Sequence, residues 1–311
     1  MSASQFSAEV SDSTLAMYQS NIRTVAKALG VKDWIKTGNW LFQKQNELFK
    51  FIEETPNTHT RKNRVASLLW FAELQGVPAP VVYRLKSIQM DCFAKLQKGY
   101  ISNEMNDKQE ENWVTVEDID EKIAELKETD PHTSPHTQHL NRIKYLMLLF
   151  HRHLPIRNEL RNTKIVENDI PEDTSVNYLV KHQVGIADDA SGASQGDNWV
   201  LVLNKYKTAG TYGQKVIAVP DVVGEELTKY LKVGRWFYQT NQGFQVSTQQ
   251  YSNTFTSIFP DKKVGSTQIR RTIVSSVYKP QPHELEAKAD LAFIMGHSIG
   301  TAQSIYAKVS S

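Results

Sequence analysis

The sequence has one cysteine, Cys92, among its 311 residues. A single cysteine excludes an internal disulfide and is typical of proteins in a reducing compartment. Cys92 lies among apolar neighbours, which favours a buried structural thiol over a nucleophile. The first residues are polar and lack the basic and apolar blocks of a signal peptide. We therefore expect an intracellular protein, in the cytoplasm or nucleus of its host cell, that is not secreted.

Long apolar runs are also missing, since the longest spans only Tyr145 to Phe150. A bilayer needs about 20 apolar residues, so we expect no membrane association. The second half of the chain has no glycine-rich phosphate loop, zinc-ligand spacing or G-x-S-x-G elbow. The spacing of His132, His136 and His139 suggests a metal, but neither a cysteine nor a carboxylate cluster joins them. We expect no metal site there.

Charge of either sign is nearly balanced, with a formal net charge of +2, but it is unevenly distributed. Residues 1–110 carry 14 Lys or Arg against 11 Asp or Glu, and residues 175–311 carry 14 against 10. Between them, residues 111–174 carry 8 against 13. Two mildly basic blocks thus flank an acidic stretch. This pattern permits nucleic-acid binding by two modules without establishing it.

Helical spacing dominates residues 1–103, which we predict to be an all-α domain. Four stretches carry it, and Gly30 and Gly76 follow the first and third as C-terminal caps. The stretches are STLAMYQSNIRTVAKALG, NWLFQKQNELFKFIEE, HTRKNRVASLLWFAELQG and VVYRLKSIQMDCFAKLQKGY. Arg61, Lys62 and Arg64 lie on the first turn of the third helix, where charged residues are commonly a solvated face.

Residues 104–116 are poor in apolar side chains and are predicted to be a linker, followed by a second domain at 117–311. Three β-rich stretches, VNYLV, NWVLVLNKY and QKVIAVP, lie within it, the last two joined across the turn TAGTYG. The predicted fold of this domain is α+β, with helices around a small three-stranded antiparallel sheet. The predicted helices span 117–128, 137–153, 221–232, 247–258, 267–278, 284–295 and 301–307.

Four short motifs in this domain combine cations with an imidazole and a phenol. They are PIRNEL with Arg157, NKYKTAGTYG with Lys205 and Lys207, STQIRRT with Arg270 and Arg271, and MGHSIGTAQSIY with His297 and Tyr306. Two guanidinium groups converging on one phosphate would stabilise a pentacovalent transition state without a metal. Nearby cations would also lower the pKa of a phenol, which is ordinarily about 10, and so favour a nucleophilic phenolate. The motifs are therefore compatible with covalent phosphoryl transfer.

The four motifs together resemble the tyrosine recombinase (phage integrase) family. MGHSIGTAQSIY is similar to the family's L-G-H-S-x-x-x-T-T-x-x-Y element, and PIRNEL to its first arginine motif, R-x-(S/N)-E-L, with one residue fewer between Arg157 and Glu159. NKYKTAGTYGQKVIAVP resembles the family's lysine-bearing hairpin, and STQIRRT its H-x-L-R-H-T box. Each residue alone is most often structural. Four motifs in the family's order favour function.

The resemblance implies a role for each matching residue. Arg157 and Arg270 would bind the scissile phosphate, and Lys207 would protonate the 5′-oxygen leaving group. His297 would hydrogen-bond the phosphate and assist proton transfer, and Tyr306 would be the nucleophile that forms a 3′-phosphotyrosyl bond. The resemblance implies no metal or other cofactor. The candidate catalytic residues are Arg157, Lys207, Arg270, His297 and Tyr306.

Two departures from the family pattern involve auxiliary residues. Thr267 stands where the box begins with histidine. Because Thr267 cannot act as a base at pH 7, we expect either a lower rate or compensation by Arg271. Lys205 competes with Lys207 for the role of general acid, and Lys207 is preferred because its KT pair matches the hairpin position of the family's lysine. Thr267, Arg271 and Lys205 are therefore possible auxiliary residues.

The resemblance also implies partners. The two domains would clamp double-stranded DNA, with Arg61, Lys62 and Arg64 contacting phosphates, and strand exchange would need a homotetramer on DNA. The form of PIRNEL is closer to versions from large DNA viruses and mobile elements. Only Ala307 to Ser311 follow the tyrosine, so we expect protomers to associate through other surfaces. The alternatives are a type IB topoisomerase-like enzyme that relaxes DNA, and a DNA-binding protein with a decayed active site, as Thr267 suggests.

Overall fold

The first part of the chain consists of helices separated by short turns. The computed structural model describes residues 10–102, 105–128, 132–182, 198–240, 242–278, 288 and 292–295. The chain divides into two compact units, Met1–Ser102 and Asn103–Ser311. The described part of the first unit contains α1 (Asp12–Ala28), α2 (Asn39–Gln43), α3 (Gln45–Glu53), α4 (Thr58–Leu74) and α5 (Ala79–Ser102). The second predicted helix is thus two helices, with a break at Lys44.

Glycines end two of these helices, as the sequence predicts. Gly30 after α1 and Gly76 after α4 have positive φ angles of 68° and 63°, which residues with a Cβ atom adopt at a cost. The amide that follows Gly30, from Val31, donates to the carbonyl of Ala26 at 2.8 Å. This bond is typical of a Schellman cap. The helices close around a core of their own, whose largest side chains include Trp40, Phe49, Phe71, Leu48 and Leu68.

The predicted linker contains structure in its second half. A five-residue helix, α6 (Asp107–Glu111), begins with a capping box at Asn106. Val114 is buried in the core of the second unit. The amide of Lys263 donates to Oδ1 of Asn112 at 2.6 Å. Residues 112–114 therefore pack as part of the second unit.

The second unit surrounds a sheet with helices. It contains α7 (Val116–Lys127), α8 (Pro135–His153), a 3₁₀ turn (Asn158–Asn162), α9 (Ala209–Tyr212), α10 (Asp221–Tyr230), α11 (Thr248–Thr256) and α12 (Ser266–Tyr278). Residues 292–295 are also helical. Helix α8 is the central helix, because seven consecutive residues from Tyr145 to His151 are buried. The predicted helix 301–307 lies outside the described residues.

The sheet corrects the predicted one. It has four strands rather than three: β1 (Thr163–Glu167), β2 (Asn177–His182), β3 (Asn198–Leu203) and β4 (Lys215–Ala218), in that order. The three predicted strands are present, and β2–β3 and β3–β4 are antiparallel. The additional strand β1 pairs in parallel with β2, which makes the sheet mixed. A short loop, residues 168–176, is long enough to return the chain to the start of β2 because β1 is only five residues long.

No described helix is both long and apolar enough to cross a membrane. Within the described ranges, no three His, Cys, Asp or Glu side chains are placed so that they could hold a metal ion. His132, His136 and His139 therefore do not form such a group.

Candidate active site

One cleft of the second unit brings together residues from three of the four motifs. Its volume is about 390 Å³. The walls come from the 3₁₀ turn, the loop after β3, and the first turns of α11 and α12. Residues with charged or predicted functional side chains that line it are Arg157, Glu159, Arg161, Lys205, Thr267 and Arg270. Arg157 and Arg270, far apart in sequence, thus face the same cleft.

The second arginine of this cleft is almost fully removed from solvent. Arg270 lies on α12 and its side chain is 2% exposed. An arginine keeps its charge in proteins, so its burial fixes a positive charge beside the cleft. Helix α12 is attached to the turn that follows Arg157, because Oγ of Ser266 donates to Oδ1 of Asn158 at 2.7 Å. The two arginine motifs are therefore directly connected.

Arg157 is positioned by a histidine that the motifs do not contain. The ring of His151, fully buried on α8, lies between two carbonyls: Nδ1 is 2.8 Å from the oxygen of Met147 and Nε2 is 3.0 Å from that of Arg157. Burial lowers the pKa of His151 to about 4, with a further decrease from Arg270, against the two backbone hydrogen bonds. A neutral imidazole has one N–H and donates to one carbonyl only. His151 is thus a neutral, buried contact to the backbone of Arg157.

Glu159 supplies a negative charge between the cations. Burial raises the pKa of this carboxyl group, while the positive charges of Arg270 and Arg157 act in the opposite direction. Its buried Oε2 atom has no hydrogen-bond partner within the described ranges. The positive charges of Arg157 and Arg270 thus favour the ionised form of Glu159, against the effect of its burial.

The backbone of the cleft is held by Asn177, the first residue of β2, which is fully buried. Its Oδ1 atom accepts from the amides of Asn204 and Lys205, at 2.9 and 2.7 Å. Its Nδ2 atom donates to the carbonyls of Glu159 and Lys205, at 3.3 and 3.1 Å. One side chain thus joins the turn after Arg157 to the loop that carries Lys205. A lone Asn in a β-rich stretch gives no sequence signal for this role.

The structure separates the two candidate lysines. Lys205 lines the cleft, whereas Lys207 lies on an exposed turn two residues further along and is not among the lining residues. The connection between β3 and β4 is longer than a tight hairpin, because it contains the short helix α9. The sequence-based preference for Lys207 therefore rests on the family motif alone.

A third lysine, Lys215 at the start of β4, was missed by sequence reasoning. It is 4% exposed, its ammonium donates to the carbonyl of Phe293, and it lies 4.4 Å from the centre of the Phe293 ring. Burial lowers the pKa of Lys215, Arg157 lowers it further, and Glu159 opposes both. The alternation of β4 could have revealed it, since Lys215 and Ile217 share the buried face.

The remaining predicted residues of this unit lie at the edge of the cleft or outside the described residues. Thr267 is exposed and lines the cleft at the first turn of α12. Arg271 is half-buried and is not among the lining residues. His297 and Tyr306 lie outside the described residues, so their motif contributes sequence spacing only.

The basic cluster of the first unit is engaged in contacts within that unit. Nε and Nη2 of Arg61 donate to the carbonyl of Thr55 at 3.0 and 2.6 Å, and Nη1 of Arg64 donates to Oγ1 of Thr55 at 2.8 Å. The Lys62 ammonium lies 5.3 Å from the centre of the Phe93 ring. The two arginines therefore stabilise the turn between α3 and α4, and all three side chains are partly exposed.

Comparison with known proteins gives limited information. No protein-family model and no curated protein matches the chain. Solved structures do match, and among them is one described as the crystal structure of XerA recombinase. It shares 13% sequence identity, with 96% of this chain and 88% of that chain covered, at a TM-score of 0.40. Identity and TM-score are both too low to assign a family or an activity.

Proposed function

We propose that this chain is a tyrosine site-specific recombinase or integrase that breaks and rejoins double-stranded DNA through Tyr306. The observation that carries the proposal is the cleft lined by Arg157, Lys205 and Arg270, which come from three separate motifs. Singly, each of these residues has a structural explanation. Their presence on one cleft is what a phosphate-binding site requires. The contribution of His297 and Tyr306 rests on the resemblance of MGHSIGTAQSIY to the family element.

The proposed reaction is a transesterification in two steps. The phenolic oxygen of Tyr306 transfers its proton to His297 as it attacks the scissile phosphorus, and the bond from phosphorus to the 5′-oxygen breaks. Arg157 and Arg270 bind the non-bridging oxygens and stabilise the charge of the pentacovalent transition state. His297 donates a hydrogen bond to the same phosphate. Attack by a 5′-hydroxyl then reverses the first step, so the bond energy is conserved and no cofactor is needed.

A lysine protonates the departing 5′-oxygen in this proposal. Lys205 is favoured by its position on the cleft, Lys207 by the family motif, and Lys215 by a pKa that burial lowers. A general acid works best when its pKa approaches the working pH. The pKa of Lys215 is shifted downwards, in that direction, but its ammonium already donates to the Phe293 carbonyl.

DNA contact by the first unit is also part of the proposal. Arg61 and Arg64 already donate to Thr55, so we assign the main phosphate contact to Lys62 and a positioning role to the two arginines. Recombination between two duplexes would require a homotetramer on DNA. The form of the PIRNEL motif favours a viral or mobile-element origin.

The test is covalent trapping on DNA. Duplexes from the region that flanks the coding sequence are nicked at successive positions, so that a short fragment diffuses away after cleavage and leaves the protein attached. We expect a denaturant-resistant adduct with wild type and with Tyr212→Phe, whose ring is exposed on α9, and none with Tyr306→Phe. Equal yields from wild type and Tyr306→Phe would contradict the proposal. Absence of any adduct would favour the decayed site that Thr267 suggests.

A second assay separates recombination from topoisomerase activity, which uses the same chemistry. Supercoiled plasmid reports relaxation, and a mixture of two labelled duplexes reports exchange between molecules. We expect exchanged products together with a tetrameric complex on DNA. Relaxation by a monomer without exchange would identify the type IB topoisomerase-like alternative instead.

A further inference from the structure

A second basic cleft lies beside β1, away from the residues of the candidate active site. Its volume is about 190 Å³. Four of its lining residues are basic: His139 and Arg142 on α8, and Lys232 and Arg235 in the segment after α10. Tyr230 and Trp236 add aromatic surface, and none of the described residues that line the cleft is acidic. Like charges around a cleft without a carboxylate produce a positive potential that attracts an anion.

The cations of this cleft are not neutralised by neighbours. Within the described part of the chain, no ion pair or side-chain hydrogen bond involves Arg142, Lys232 or Arg235. Two other lysines provide a contrast: Lys127 at the end of α7 and Lys229 on α10 both pair with Glu226, at 3.2 and 2.9 Å. Lys127 and Lys229 thus have a carboxylate partner, whereas the three cations at the cleft do not have one among the described residues.

The cleft is held in place by the sheet. The amide of Gly234 donates to the carbonyl of Ile165 at 2.8 Å, and the amide of Ile165 donates to the carbonyl of Arg235 at 2.7 Å. Gly234 has a φ of 83°, which permits the turn that starts this pairing. The guanidinium carbon of Arg142 lies 4.8 Å from the centre of the Tyr230 ring, a cation–π contact that orients it. The backbone that carries Arg235 and the side chain of Arg142 are therefore held in position by contacts within the protein, without a ligand.

We propose that this cleft binds a phosphate group of the DNA backbone, an inference that rests on the proposed function. Guanidinium forks match the oxygens of a phosphate, and two of the cations are arginines. The volume is below the roughly 300 Å³ at which pockets for whole small molecules begin, which favours one group of a larger molecule. Asn162, which lines the candidate active site, is three residues from Ile165, which lines this cleft. At the rise of a β-strand, Asn162 and Ile165 are separated by roughly 10 Å along the backbone. One short duplex is longer than that distance.

The test is the salt dependence of duplex binding by the full chain. The affinity for a short duplex is measured between about 50 and 200 mM salt for wild type, Lys232→Ala, Arg235→Ala and the double variant. We expect the slope of log affinity against log salt to decrease in magnitude by about 1 for each cation removed. The matched control is Lys229→Ala, whose cation is paired with Glu226, and it should change the slope by less than half as much. The three substituted positions are exposed, so the thermal unfolding temperature should change little.

Three outcomes overturn this inference. The first is a slope in the double variant equal to that of wild type. The second is a wild type that binds no duplex at low salt. The third is binding of adenosine monophosphate that depends on Lys232 and Arg235 while the DNA slope does not, which would assign the cleft to a free nucleotide. A reduced slope in the variants with no covalent adduct in wild type would refute the proposed recombinase and leave the phosphate site standing.

Discussion

Two buried cations lie in or near the candidate active site. Arg270, which lines the cleft, is 2% exposed, and Lys215 is 4% exposed. Among the described residues that line the cleft, Glu159 supplies a carboxyl group. A buried charge is costly unless another charge or a hydrogen bond compensates it. Under the proposed function, a bound phosphate would add to this compensation.

The identity of the general acid is a prediction at the scale of single residues. Lys205→Ala, Lys207→Ala and Lys215→Ala are compared on a normal duplex and on one whose 5′ leaving atom is sulfur. Loss of the acid should slow cleavage of the normal duplex by roughly 10²- to 10⁴-fold. A thiolate leaves without a proton, so the sulfur duplex should restore the rate for that variant alone. Because Lys205 lines the cleft, we predict that Lys205→Ala is the variant whose rate the sulfur duplex restores.

The other two lysines provide the contrast. Lys207→Ala should cleave both duplexes at rates near wild type. Lys215→Ala should be slow on both, because it removes the contact to the Phe293 carbonyl as well as a charge. Selective rescue of Lys207→Ala by sulfur would instead support the family motif over the observed cleft.

His151 gives a prediction for pH. Its pKa is about 4 in the folded protein against 6.5 when unfolded, so the unfolded state binds more protons between these values. Stability is therefore lost as the pH falls from about 6.5 to 4, by about 3 kcal/mol from this residue. Urea unfolding of His151→Gln across this range should show a correspondingly weaker dependence on pH. His153→Gln, at an exposed position of α8, should change it less. Identical curves for wild type and His151→Gln would contradict the assignment.

At the scale of elements, Asn177 joins the 3₁₀ turn to the loop after β3. Asn177→Ala leaves the amides of Asn204 and Lys205 without their acceptor, and each buried unsatisfied group costs about 1–3 kcal/mol. We predict a loss of roughly 2–5 kcal/mol in the free energy of unfolding, measured in urea. Asn198→Ala, at an exposed position of β3, should stay within about 0.5 kcal/mol of wild type. Similar losses in both variants would show that Asn177 is not the junction.

Helices and strands with a regular apolar pattern could be predicted from the sequence. Those that depend on pairing with residues distant in sequence could not. Helix α4 followed from its spacing and from Gly76. Strand β1 was missed because it is five residues long, carries Lys164 and Glu167, and is stabilised by pairing with β2 and by the segment at Trp236. Arg157 and Arg270, which line the cleft together with Arg161, were identified from motifs. His151 and Asn177 were not, because their roles depend on backbone groups that only the fold brings near.

For the whole molecule, the division into two units has a direct consequence. Each unit has its own hydrophobic core, one around Phe49 and Phe71 and one around Phe150 and Phe237. We predict that residues 1–102 and 103–311, expressed separately, each fold. Each fragment should show a cooperative thermal transition by circular dichroism, with the first purely helical in its spectrum. A gradual transition in either fragment would mean that the units depend on each other for stability.

Peptide mapping shows directly whether Tyr306 becomes covalently attached to DNA, as we propose. Adduct trapped on a nicked duplex is digested with nuclease and protease, and the modified peptide is sequenced by mass spectrometry. We expect a nucleotide linked through its 3′-phosphate to Tyr306, lost in Tyr306→Phe and strongly reduced in Arg157→Ala and Arg270→Ala. A nucleotide on any other residue, or a 5′-linkage, would contradict the proposed reaction.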